Sequence, residues 1–274
     1  MLYTLLERQL SFFNTVNICG LDLAKAFDKM NRYALFIKLI NRGCPMVLID
    51  ILECWYGKIF ACVKWGDYMS AFVNLSCGTR QGGVISPKLF AVCVNDILVK
   101  LQESSLGYHI HYICLNAFLY ADDLLLLALT LADLQKMINI CENELSWLDM
   151  TINTKKSGSI RIGPQFDALA AKLCTNHSQI EWVTEMPYLG LDIKSGRSFK
   201  CSFHAKKTKY YRSINGILGK LGSAPPIGLT LSLVSSNCDS IILNGLESLK
   251  LTKTDNNALS YPYNSVYIKL FQNF

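Results

Sequence analysis

No C-x-x-C pair and no Cys/His cluster of zinc spacing occurs in this chain, although it contains 11 Cys and 4 His. Odd in number and scattered singly, the cysteines argue against a disulfide framework or a zinc finger. They read as small core residues of a reduced, intracellular protein. Long apolar runs are also missing. The longest, Ala117 to Leu131, is broken by Asp122 and Asp123 and is shorter than the roughly 20 residues that cross a bilayer, so no membrane partner is expected despite a mean hydropathy of +0.23. Glu7 and Arg8 interrupt Met1 to Leu10 where a signal peptide would be apolar, which argues against secretion. No Gly-Lys-Ser/Thr follows the glycine-rich loop at Gly78–Gly83, so it is not a Walker loop. Internal repeats and low-complexity tracts are absent.

What is present is apolar and mildly basic. Of 274 residues 51% are apolar, enough for a sizeable core in one or two domains, and a formal charge of +6 is compatible with a polyanionic partner without demanding one.

The stretch Phe118-Leu119-Tyr120-Ala121-Asp122-Asp123-Leu124-Leu125-Leu126-Leu127 stands out, because two adjacent carboxylates interrupt what would otherwise be a buried strand. Short strands joined at Asp122 and Asp123 would set both carboxylates at the tip of a rigid hairpin, since Asp tolerates the left-handed angles of a tight turn. A solvated turn is the competing reading.

Around it the chain alternates strand and helix signals. Val16 to Leu23 predicts a strand ending near Asp22. Ala34, Leu35, Lys38 and Leu39 have helical spacing closed by Gly43, and Pro45 opens a second helix running to about Tyr56. Ile59 to Trp65, Gly66-Asp67 and Tyr68 to Leu75 predict a hairpin. The loop Cys77 to Gly83 runs into Ser86-Pro87, read as N-cap and first helical position, and Leu89, Cys93, Ile97 and Leu101 then repeat every four residues. After the acidic hairpin, Leu131, Leu134, Ile138, Cys141, Leu145 and Leu148 line one helix face. A basic turn from Asn153 to Gly158 precedes a short strand at Ile160 and Ile162, and Tyr188 to Ile193 predicts another strand, with a turn at Ser195 to Arg197. From Ser198 the pattern is helical, with Lys and Tyr interleaved, and after about Thr252 no period persists. His109 and His111 alternate on a strand, without further ligands for a metal.

A second acidic stretch, Leu21-Asp22-Leu23-Ala24-Lys25-Ala26-Phe27-Asp28, ends another strand. Neighbouring strands would gather Asp22, Asp122 and Asp123, whose mutual repulsion calls for a cation. Oxygen-only ligands favour Mg²⁺, and two such ions about 3.5–4 Å apart form the arrangement that polymerases and nucleases use.

Leu21 to Asp28, the Gly78-Thr79-Arg80-Gln81-Gly82-Gly83 loop with its Ser-Pro helix start, Tyr120-Ala121-Asp122-Asp123, Ile152-Asn153-Thr154-Lys155-Lys156-Ser157 and Tyr188-Leu189-Gly190 come in the order found in reverse transcriptases. The chain resembles the non-LTR (LINE-type) retrotransposon branch of that family over about Asn17 to Ser195. The resemblance implies an α+β fold: a polymerase palm with an antiparallel sheet backed by helices over residues 1–196, then a small helical thumb over 197–274. It implies that Asp22, Asp122 and Asp123 hold two Mg²⁺ ions, and that Lys156, or Lys155 beside it, aids the leaving pyrophosphate. Leu23, Phe27, Gln81 and Gly82 would contact the nucleotide, Phe27 as the aromatic gate against a 2′-hydroxyl. Arg80, Tyr188, Leu189, Gly190, Lys206 and Lys207 would contact nucleic acid. Asp28 is expected to secure the following helix.

The implied function is RNA-directed DNA synthesis from an RNA template, a DNA primer and deoxynucleoside triphosphates, inside the cell and in the nucleus. Only about 20 residues precede Asp22, so most of the fingers expected of this branch are missing, and no endonuclease domain or zinc knuckle is seen. Two rivals stand beside that reading. One is a catalytically silent nucleic-acid-binding remnant of the same fold. The other is a palm-like nucleotide cyclase, which the Gln-Gly-Gly loop and the Tyr-Leu-Gly strand do not support.

Overall fold

The computed structural model describes residues 14–110, 113–222 and 226–272; Met1 to Leu10 and His111 lie outside them. Two compact units emerge, one built from Val16–Ser159 with Leu169–Trp182, the other from Ile160–Ala168 with residues 183 onward. This division falls earlier than the expected boundary near Gly196. The strands Glu185–Tyr188, Leu191–Lys194 and Lys200–Ser202 form one sheet that leads into the helix His204–Leu221, which leaves no linker at Gly196.

The first unit centres on strands in the spatial order Val16–Asp22, Asp123–Ala128, Ala117–Tyr120. Val16–Asp22 and Asp123–Ala128 pair antiparallel from Asn17 opposite Ala128 to Asp22 opposite Asp123, and the hairpin strands Ala117–Tyr120 and Asp123–Ala128 pair antiparallel from Ala117 opposite Leu126 to Tyr120 opposite Asp123. Leu124, Leu125, Leu126, Leu127 and Ala128 are all buried, which explains why this strand is an unbroken apolar run rather than an alternation.

Helices cover the sheet because their apolar stripes need it. In Ser86–Glu103 the four-residue repeat Leu89, Cys93, Ile97, Leu101 is buried as expected, each large side chain contributing about 1.5–3 kcal/mol over exposure. Leu131–Trp147 buries Leu134, Ile138, Cys141 and Leu145, and its first turn is capped by Thr130, whose hydroxyl accepts from the Asp133 N–H at 3.1 Å. Arg32–Asn41 is capped by Asn31 and ends before Gly43, and Met46–Gly57 starts directly after Pro45. Lys38, on the inward stripe of its helix, is buried with an ion pair to Asp96 at 2.8 Å. Trp65 faces Tyr68 across the two-residue turn Gly66-Asp67, as the hairpin pattern predicts.

Three expectations change in detail. Ser86 is the first helical residue, with Ile85 at the cap, and its Oγ donates instead to the Arg80 carbonyl at 2.6 Å. Tyr188 to Ile193 is a hairpin rather than one strand: Tyr188 pairs with Leu191 across Leu189-Gly190, both of which have positive φ. Residues after Thr252 form the helix Lys253–Gln272, opened by a reciprocal cap between Thr252 and Asp255. Pro262 inside that helix and its weak amphipathicity hid the period.

The second unit adds a core of Phe203, Tyr210, Ile214, Val234, Cys238, Ile242 and Leu259. Strands and helices mix throughout, the α+β class expected. No helix among the described residues is long and apolar enough to cross a membrane.

Candidate active site

Sheet register brings the first two carboxylates together. Asp22 at the end of Val16–Asp22 lies directly opposite Asp123 at the start of Asp123–Ala128. Tyr120 pairs with Asp123, so the turn residues are Ala121 and Asp122, and Asp122 sits at the tip beside the pair. Ala121, not an aspartate, takes the left-handed conformation, at φ 52°. For a residue with a Cβ that geometry costs roughly 1–2 kcal/mol, a strain that persists at functional sites when the surroundings impose it.

Like charges opposite one another in a ladder are destabilising. Burial, then the neighbouring charges of Asp122 and Asp22, push the Asp123 carboxyl above its ordinary range. A group whose native pKa is raised costs stability at neutral pH, and the cost is relieved as pH falls through the native value and then the unfolded one near ~3.9. In metal-free buffer, Asp123→Asn should therefore raise the melting temperature by a few degrees at pH 7, with the gain vanishing below about pH 4. Melting curves at the two pH values check this, and an unchanged or lower midpoint at pH 7 would contradict it.

A third element grips Asp22 from the far side. The Asn153 amide donates Nδ2–H to Asp22 Oδ2 at 3.1 Å, the Asn153 N–H donates to the Asp22 carbonyl at 2.8 Å, and the Asp22 N–H donates to Ser157 Oγ at 3.0 Å. Lys155 and Lys156 ride on this turn, whose Lys156 N–H donates to the Asn153 carbonyl at 3.1 Å. Asn153 and Ser157 were absent from the expected site residues. The signal that could have found them is a polar, hydrogen-bonding pair bracketing two lysines just before a strand.

The glycine loop is clamped to the segment that follows Asp22. Gly78 and Thr79 donate backbone N–H groups to the carbonyls of Met30 and Phe27 at 2.8 and 2.7 Å. Gly78 has φ +76, and a Cβ there would stand 2.4 Å from the Asp28 carbonyl oxygen, so only glycine allows this approach. Gln81 donates Nε2–H to Asp28 Oδ1 at 2.8 Å. Asp28 thus holds the loop, while the following helix is capped by Asn31. Phe27 is half-buried and stacks on Phe90 at 4.4 Å between centroids. Gln81, Gly82 and Arg80 are exposed, and Arg80 and Gln81 border a groove of about 600 Å³ with Lys58, Trp55 and Phe60. Leu23 departs from expectation: its side chain is buried in the core, which leaves only its backbone for a nucleotide.

Tyr188, Leu189, Gly190, Lys206 and Lys207 belong to the other unit. Leu189 and Gly190 form the hairpin turn. Lys206, expected along a phosphate backbone, is instead buried and donates its ammonium to the Asn244 carbonyl, and burial lowers its pKa. Helical phase explains the difference, since 206, 210 and 214 share the inward face with Tyr210 and Ile214. Lys207 is half-buried, whereas Lys209 and Arg212 are exposed.

Among the described residues no three His, Cys, Asp or Glu side chains form a ready-made metal cage. Asp22, Asp122 and Asp123 nevertheless fit an oxygen-ligated divalent cation, because their donors are carboxylate only and their mutual repulsion is what a cation would relieve. Such an ion would complete its shell with water and phosphate oxygens.

Residues 16–193 match the family model described as reverse transcriptase (RNA-dependent DNA polymerase). Among curated relatives, the chain is 26% identical over 171 residues to the Pol polyprotein of the type-1 retrotransposable element R2 of Bradysia coprophila, covering 62% of this chain and 19% of that protein. It is 28% identical over 153 residues to that of the type-2 element R2DM of Drosophila melanogaster, covering 56% of this chain and 14% of the relative. The chain thus spans under a fifth of the length of these relatives. In fold it is similar to apo telomerase from Candida tropicalis, with a TM-score of 0.50 at 13% identity over 98% of this chain and 48% of that one. With the family model spanning the acidic hairpin, the glycine loop and the basic turn, the chain belongs to the reverse transcriptase (RNA-dependent DNA polymerase) family.

Proposed function

We propose that this chain carries the polymerase centre of a retrotransposon reverse transcriptase and adds deoxynucleotides to a DNA primer on an RNA template, in the nucleus. The observation that supports this most is the pairing of Asp22 with Asp123 across the sheet, with Asp122 at the adjacent tip. Asp22 and Asp122 would hold two Mg²⁺ ions with Asp123 beside the primer end; when bound, the ions activate the attacking oxygen and stabilise the leaving one. Phe27 would lie under the sugar of the incoming nucleotide, its ring braced by Phe90 so that a 2′-hydroxyl meets a fixed wall. Gln81 and Gly82 would meet the nucleotide and template. The primer 3′-hydroxyl gives up its proton to water as its oxygen bonds to the α-phosphorus, the bond from the α-phosphorus to the bridging oxygen breaks, and pyrophosphate leaves with a proton from Lys156, or from Lys155 beside it. Tyr188, Leu189 and Gly190 would grip the primer, and Arg80 and Lys207 would contact phosphates.

Extension of a labelled DNA primer annealed to RNA tests this. Incorporation is expected with Mg²⁺ and deoxynucleotides, and to fall away without the metal. Tight binding of the duplex with no nucleotide added would sink the catalytic reading, and a cyclic product from one nucleotide would reassign the reaction.

A further inference from the structure

We propose that Asn153 is a positioning residue for Asp22: its side-chain amide holds one carboxylate oxygen so that the other is presented to a divalent cation. This assignment depends on Asp22 being a cation ligand, and names what aims it.

An aspartate at a strand end is poorly fixed by the strand itself, because its terminal torsion is broad and roughly two-fold. Asn153 removes that freedom. A carboxylate only accepts, so the amide nitrogen must face Asp22, and Nδ2 stands 3.1 Å from Oδ2. Oδ1 has no hydrogen-bond partner among the described residues. The backbone of Asp22 is secured by the same turn, through the Asn153 N–H at 2.8 Å and Ser157 Oγ at 3.0 Å, and Ser157 Oγ in turn donates to the Asn153 carbonyl at 2.9 Å. Just beyond, Leu23 bridges Ile152, and the Ala24 N–H donates to the Thr151 carbonyl at 2.9 Å. The amide is therefore anchored from both directions and reaches its target without freedom to drift.

Two features separate this from an asparagine that merely makes a turn. The turn is already closed by backbone, because the Asn153 carbonyl accepts from the N–H groups of Lys156 and Ser157 at 3.1 and 2.9 Å. The side chain is used instead on a residue 131 positions away in sequence. The choice of a neutral donor is also informative. Lysine or arginine at position 153 would fix the carboxylate equally well, but would cancel the charge that a cation needs. An amide orients the carboxylate and leaves its charge intact.

The test is Mn²⁺ binding to the full chain, read from loss of the free-ion electron paramagnetic resonance signal, with Asp22→Asn as reference. Asn153→Ala is expected to weaken Mn²⁺ binding about 10- to 100-fold, the usual effect of losing a partner that orients a metal ligand. In primer extension the half-saturating Mg²⁺ concentration should rise by a similar factor, with the rate at saturating Mg²⁺ largely recovered. A lower rate at every Mg²⁺ concentration, with unchanged Mn²⁺ binding, would mark a purely structural role and overturn the proposal. If circular dichroism shows Asn153→Ala unfolded, Asn153→Ser supplies the same comparison, because serine suits the turn but is too short to reach Asp22. Wild-type Mn²⁺ affinity in Asn153→Ser would overturn the proposal while leaving Asp22 as a ligand. Wild-type affinity in Asp22→Asn would instead overturn the reading of the metal site itself.

Discussion

Asp22→Asn is expected to lower deoxynucleotide incorporation on an RNA template by about three orders of magnitude, roughly 4 kcal/mol of transition-state stabilisation at 1.36 kcal/mol per decade. The change is nearly isosteric, and the surroundings of residue 22 would survive it. The backbone bonds to Asn153 and Ser157 are untouched, and an asparagine oxygen can still accept from the Asn153 amide. Only the negative charge is lost, so the loss of rate would measure what that charge does for bound cations. Stability should move the other way, because the substitution removes a like charge standing opposite Asp123. A variant that melts at or above the parent temperature and yet fails to extend the primer is the signature of a functional carboxylate. Asp28→Asn is the matched control. Asp28 is exposed and accepts a hydrogen bond from Gln81, which an asparagine oxygen can also do, so its rate should stay within a few-fold of the parent. Incorporation by Asp22→Asn within tenfold of the parent would remove that residue from the metal site.

The elements that carry these carboxylates were legible because their signals are local. The uninterrupted Leu run is what a strand buried on both faces must look like, and the four-residue repeat from Leu89 to Leu101 is what a covering helix must look like. Register was not legible. That Asp22 faces Asp123, and that the turn is Ala121-Asp122, depends on which strands pair, and no single strand's pattern states its partner. The same limit hid Asn153 and Asp28, whose partners are distant in sequence. Lys206 shows a different failure: a lysine among lysines and tyrosines reads as a solvated face, and only the phase set by Tyr210 and Ile214 turns it inward. An interior proline and a weak stripe conceal the helix after Thr252 in the sequence, although its Thr-Lys-Thr-Asp start is a cap that is in fact used.

Arg32→Met is expected to destabilise the unit containing the acidic hairpin by about 3 kcal/mol, from four hydrogen bonds that a single side chain supplies. Arg32 is 7% exposed and, among the described residues, pairs with no carboxylate. Its Nε–H donates to the Gly78 carbonyl at 2.8 Å, and its terminal nitrogens donate to the carbonyls of Tyr56 and Cys77 at 2.9 Å each and to that of Leu75. The planar fork also lies over the Tyr56 ring, 5.0 Å from its centroid. One residue thus ties the end of Met46–Gly57 to the loop leading into Gln81. Methionine keeps the volume and removes every donor. Each buried carbonyl left unpaired costs about 1–3 kcal/mol, a sum reduced because the buried charge, whose pKa burial already lowers, no longer has to be desolvated. The net figure of about 3 kcal/mol corresponds to a fall of roughly 6–12 °C in melting temperature for a unit of this size. Arg32→Lys should recover only part of it, since an ammonium with three donors cannot reproduce a flat five-donor fork. All four tryptophans, Trp55, Trp65, Trp147 and Trp182, lie in the unit that contains Arg32, so intrinsic fluorescence in urea reports on the unit in question. Arg80→Ala, an exposed arginine on the same loop, should stay within about 0.5 kcal/mol of the parent. Equal loss from both arginines would mean that general charge, rather than the guanidinium staple, holds the loop; the same midpoint for Arg32→Met and the parent would mean that the loop needs no staple, and that Gly78 and Thr79 fix it through their bonds to Met30 and Phe27.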